Sequence, residues 1–197
     1  MPMASDPIRF EEPGFARWLF ASTGAAGIWL VARISFGYQW AQSGWDKVND
    51  PVWMSSGEAL RGFATFASTE LTQGEHPPVN NGWYAAFLRW IADDAYPWMA
   101  KLIAVGELAI GVLLILGLFT GIAAFLGGML TMSFGLAGSA GVNPMFFLFE
   151  VLLILAWRNA GYIGLDRWVL PALGTPWQPG PLLRRLAPER ERERGVV

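Results

Sequence analysis

The sequence predicts an all-α fold: an integral membrane four-helix bundle whose large outer loop carries amphipathic helices. Three observations support this. Hydrophobic residues make up 53% of the chain and charged residues 15%, where a soluble domain carries about 25% charged. Mean hydropathy is positive. The stretch from Tyr96 to Gly121, YPWMAKLIAVGELAIGVLLILGLFTG, is interrupted only by Lys101 and Glu107, and it meets the roughly 20 residues that cross a bilayer.

Composition also narrows the chemistry. A net charge of -2 provides no surface for nucleic acid. With no cysteine and a single histidine, His76, one chain cannot ligate an iron-sulfur cluster, a bis-His haem or a thiolate-bound metal. A redox role would therefore use an organic cofactor or a partner subunit.

Residues 1–21 mix Arg9, Glu11, Glu12 and Arg17 with Phe10, Phe15, Trp18 and Phe20, and Pro7 and Pro13 interrupt them. Charges and prolines where an apolar core should be argue against a secretory signal and for an interfacial segment. The membrane domain follows over residues 22–170. Its first span runs from Ser22 to Trp45, with Arg33, Gly37, Trp40 and Gly44 on one helical face. Trp40, Trp45, Asp46 and Lys47 mark its exit to water.

The outer loop, residues 46–95, holds two amphipathic stretches, from Ser55 and from Asn80, expected to lie on the bilayer surface. The turn-rich EHPPVNNG joins them and makes His76 a loop residue. The second span is the organising stretch, and Gly117 and Gly121 frame a tight turn into the third, Ile122 to Gly138. This third span is Gly- and Ala-rich without charge, so close packing is its expected task. The fourth, Met145 to Tyr162, carries Glu150 and Arg158. The tail, residues 171–197, is Pro-rich and then alternates in charge, a composition expected to be largely disordered.

Four spans put both termini on one side. Arg9 and Arg17 before the first span, with seven arginines from Arg158 to Arg194 after the last, make that side cytoplasmic. The acidic loop then faces outward.

A rise of about 1.5 Å per residue puts Glu107 roughly 15 Å, Glu150 roughly 9 Å and Arg33 roughly 15 to 18 Å below the outer ends of their spans. Ionisable groups at such depths face a protein interior or a polar cavity. A shared depth predicts one site, with Arg33 pairing a carboxylate. One reading is a structural ion pair that locks the bundle. The other is the polar end of a cavity for a quinone, which needs hydrogen-bond donors at its carbonyls, a proton carrier and an apolar path for its tail. In that reading Arg33, Glu107 and Glu150 are catalytic, and Arg33, Tyr38, Gln39, Trp40, Trp45 and Lys101 contact the cofactor.

The blocks RISFGYQWAQSGWDKVNDPVW, KLIAVGELAIGVLLILGLFTGIAAFLG and LLILAWRNAGYIGLDRWVLPALGTPW resemble the DoxX family, in particular its DoxD-like branch. The resemblance spans residues 30–177 and rests on order and spacing: Arg33, Gly37, Gly44 and Lys47; Glu107, Gly111, Gly117 and Thr120; Asn143 and Pro144; then Gly161 and Gly164, Leu165, Asp166. It implies a four-helix membrane protein and a quinone-linked oxidoreductase, since the branch includes the membrane subunit of thiosulfate:quinone oxidoreductase. An anionic donor would not be steered by the acidic loop, which implies a partner redox subunit or local use of Lys47, Arg61 and Arg89. The alternative is a noncatalytic accessory or assembly subunit of a larger redox complex, because the chain holds no self-contained catalytic motif. A solute transporter is disfavoured, as no inverted repeat or broken helix is evident.

Overall fold

The computed structural model describes residues 12–75, 77–139 and 141–174, all helix, turn or loop with no strand among them. The expectations for residues 1–11 of the N-terminal segment, for His76 and for the tail beyond 174 lie outside the described residues. Eight α-helices follow in order: α1 Gly14–Ala21, α2 Ala26–Val48, α3 Glu58–Thr69, α4 Gly82–Trp90, α5 Tyr96–Leu116, α6 Thr120–Leu136, α7 Asn143–Leu155 and α8 Asp166–Leu173.

Helix α2 packs along α5 and α6 along α7, while α5 touches α6 and α2 touches α7, closing a four-helix arrangement. Small residues set the α2–α5 distance. A Cβ on Gly44 would overlap the Leu108 backbone, one on Gly111 the Ala41 backbone, and one on Gly37 would lie 2.9 Å from the Ile115 nitrogen. Only glycine allows two backbones this close.

One continuous helix, Gly82–Leu116, is long and apolar enough to cross a membrane. A second candidate is bent, with Gly14–Ala21 and Thr23–Val48 meeting at 68°. Helices α6 and α7 are apolar but shorter, with 17 and 13 residues. The fourth span expected over 145–162 therefore becomes a short α7 followed by a run of turns over 156–165.

The outer loop departs from expectation in two ways. Helices α3 and α4 close their apolar faces on each other and on α5, with Ala64, Ala67, Tyr84 and Leu88 buried, rather than lying separately on a bilayer. Helix α4 also continues into α5 through a π turn, Ile91–Ala95. Pro97 explains the π turn: its ring would clash with the carbonyl four residues back, and the wider turn relieves this without ending the helix. The Tyr84 hydroxyl then donates to the Ser133 carbonyl at 2.6 Å, tying α4 to α6.

Candidate functional site

Glu107, only 1% exposed, sits midway along α5 where that helix crosses α2. Its Oε2 accepts from Lys47 Nζ at 2.6 Å and from Ser43 Oγ at 2.8 Å, and Lys47 also donates to Ser43 Oγ at 2.6 Å. Ser43 and Lys47 are four residues apart on α2 and so share a face. The Lys47 side chain keeps 19% exposure, and its ammonium lies 5.3 Å from the Trp53 ring centre. This ion pair joins a buried carboxylate to a cation that reaches the surface.

Glu150 on α7 is equally buried. Its Oε1 accepts from Trp40 Nε1 and Thr131 Oγ1, each at 3.1 Å, while Oε2 has no hydrogen-bond partner. Gly127 makes room for this carboxyl, since a Cβ there would lie 2.8 Å from Oε1. A buried polar oxygen left unpaired costs about 1 to 3 kcal/mol, so such a group commonly marks a functional or hydrated position.

A cavity of about 300 Å³ connects these groups, with Gln39, Trp40, Ser43, Lys47, Glu107 and Thr131 in its wall. Glu150 stands one bond behind it, because Trp40 and Thr131 line the cavity and hold the carboxyl. The cavity thus offers a cationic donor in Lys47, a carboxylate able to carry a proton in Glu107, and a second carboxyl reached through a hydroxyl. Its size lies at the lower end of small-molecule sites, about 300 to 1,000 Å³.

The expected pairing of Arg33 with a carboxylate of this site does not occur. Arg33 Nη1 donates to the Leu114 and Ile115 carbonyls at 2.6 and 2.7 Å, and Nη2 donates to the Ile163 carbonyl. Leu114 is seven residues beyond Glu107, about 10 Å further along α5, so Arg33 satisfies the last turn of the helix instead of the cavity. Terminal carbonyls without helical partners attract such a cation. Depth counting misplaced it because α2 and α5 do not begin level at the loop side: Gly44 meets Leu108 and Gly37 meets Ile115, so Glu107 lies near the end of α2 and Arg33 about 15 Å further along.

The other polar groups near the C-terminal end of α5 also hold backbone rather than line the cavity. Asp166 accepts from the Phe119 and Thr120 amides at 2.7 and 3.0 Å and caps α6. Asn159 donates to the Leu19 and Ser22 carbonyls at 3.0 and 2.7 Å, where α1 breaks from α2. Of the residues expected to contact a cofactor, Gln39 and Trp40 line the cavity. Tyr38, Trp45 and Lys101 are exposed and do not line it. Sequence reasoning did not place Ser43, Thr131 or Lys47 in the site. Lys47 had a signal: it lies three residues beyond Gly44 on the face already traced through Arg33, Gly37 and Trp40.

The DoxX family model matches residues 28–139. The chain belongs to the DoxX family. Membership indicates a membrane protein. No curated protein and no solved structure matches the chain. Within this DoxX chain the matched region holds Trp40, Ser43, Lys47, Glu107 and Thr131, so the ion pair and most of the cavity wall fall inside it. Glu150, Asn159 and Asp166 lie beyond.

Proposed function

We propose that this DoxX protein is a multi-pass membrane subunit with cytoplasmic termini, whose outer cavity binds the head group of a membrane quinone for reduction. Its domains are a cytoplasmic N-terminal segment over 1–21, the membrane domain over 22–170 and a cytoplasmic tail over 171–197. The single supporting observation is the Lys47–Glu107 pair, which joins a donor and a proton carrier at the wall of a cavity with apolar sides.

Quinone reduction consumes two electrons and two protons. Lys47 would donate a hydrogen bond to a ring carbonyl and favour negative charge developing there. Glu107, a carboxylate in its pair with Lys47, would take up a proton from the aqueous side and pass it to that oxygen. A proton held on Glu150 would reach the second carbonyl oxygen by way of the Thr131 hydroxyl, and both carboxyls would be recharged from water. The electrons come from a partner redox subunit or complex that oxidises an outer-face donor such as thiosulfate. The side chains of this chain cannot ligate a redox metal by thiolate.

One observation favours the second reading, a noncatalytic accessory subunit: Lys47 and Glu107 satisfy each other without a ligand. Glu107→Gln separates the two. Under the catalytic reading it lowers quinone reduction in membranes at least tenfold while protein abundance falls less than twofold. Parallel loss of both makes the pair structural.

A further inference from the structure

A second hollow of about 450 Å³ lies between the outer helices and the α5–α6 pair, and its wall is almost wholly apolar. Along α5 it runs from Met99 to Leu113, about 21 Å at 1.5 Å per residue, so it is a groove shaped for a chain rather than a compact molecule. Its few polar groups are engaged within the protein. The Tyr84 hydroxyl donates to the Ser133 carbonyl, and Ser133 Oγ donates to the Met129 carbonyl at 2.8 Å. Such a wall offers nothing to a polar ligand, because a polar group buried there would lose its hydrogen bonds to water without replacement.

The groove and the polar cavity share one residue, Phe134. Its ring meets Phe63 edge-on with centres 6.3 Å apart, and the same residue lines the cavity that Glu107 also lines. We infer that the groove holds the hydrocarbon tail of the same molecule whose head group occupies the Lys47–Glu107 cavity, with Phe134 at the junction. This inference rests on the proposed head-group site. It defines the ligand class as an amphiphile with a long apolar chain, bound lengthwise against α5.

Gly106 gives access to a test. It lines the groove, and a Cβ there meets nothing within 4 Å, so Gly106→Leu fills the space without disturbing the helix crossing. The full-length protein in nanodiscs is titrated with a tailless benzoquinone and with a decaprenyl benzoquinone, each expressed per mole of lipid. The tail improves affinity about fivefold or more, a packing gain because lipid is already apolar, and Gly106→Leu removes that gain while tailless binding stays within twofold. A benzoquinone with a photoreactive tail end labels groove residues such as Leu102 and Met129, and excess tailless quinone suppresses the labelling.

Equal affinities with labelling elsewhere overturn the tail groove and leave the head-group site intact. Labelling that tailless quinone cannot displace makes the occupant a separate membrane lipid and also overturns the inference. No saturable binding of tailless quinone, or binding indifferent to Lys47→Met, refutes the proposed head-group site and the tail groove with it.

Discussion

Lys47 and Arg33 lie on one face of α2 and take different partners, a carboxylate for one and backbone carbonyls for the other. Replacing each with Met separates the two roles. Arg33→Met leaves buried carbonyls without donors, at about 1 to 3 kcal/mol each, so it lowers the melting temperature of the purified protein by several degrees. Quinone affinity of the folded fraction stays within twofold. Lys47→Met differs in its effect on the ligand: it leaves the buried Glu107 without its cation and so also lowers the melting temperature, but it weakens quinone binding at least tenfold. Equal effects of both variants on affinity would return Arg33 to the site. This distinction was only partly legible in sequence. The shared face could be read from residue spacing, but the end of α5 decides which residue on that face meets a carboxylate, and a helix end shifts by several residues without changing the apolar pattern.

At the scale of the helices, two crossings do most of the positioning. Gly37, Gly44 and Gly111 bring α2 against α5 closely enough for Lys47 and Ser43 to reach Glu107, while Gly127 and Gly128 admit Glu150 to α6. Gly111→Ala therefore forces α2 away. It costs about 1 to 3 kcal/mol, as overpacking does, and shifts Lys47 from its partner. Gly106→Ala, five residues earlier and facing open space, raises stability by about 0.5 to 1 kcal/mol by removing a glycine from a helix interior. Comparing the two melting temperatures checks the assignment, and a stabilising Gly111→Ala would refute the close crossing. The Gly-rich pattern signalled packing from the sequence. What it hid was Thr131, in the span given no chemistry: a hydroxyl in a run of small residues looks like another packing position until a carboxyl from α7 is brought beside it.

At the scale of the whole molecule, the proposed four crossings have to accommodate α7, whose 13 residues give about 20 Å of helix against about 30 Å of hydrocarbon. Non-helical backbone at membrane depth is tolerated only where protein buries it. The chain after α7 meets that condition over its first part, where Ala156, Asn159, Ala160 and Gly161 are buried, whereas Ile163 and Leu165 further on are exposed. The Asn159 Nδ2 also satisfies two carbonyls at the α1–α2 break, so the two irregular segments close against each other. The proposal of four crossings with both termini on the arginine-rich side is open to a direct test. Because the chain has no cysteine, single introduced thiols report the topology without background. Asn81→Cys, exposed before α4, should react in intact cells with a membrane-impermeant maleimide. Ala172→Cys, exposed on α8, should react only after permeabilisation. The reverse pattern would invert the protein in the membrane, and external reaction at both positions would mean an even number of crossings between them. Either result would separate the arginine-rich end from the cytoplasm, and the reverse pattern would also move the Lys47–Glu107 cavity out of reach of an outer-face electron donor.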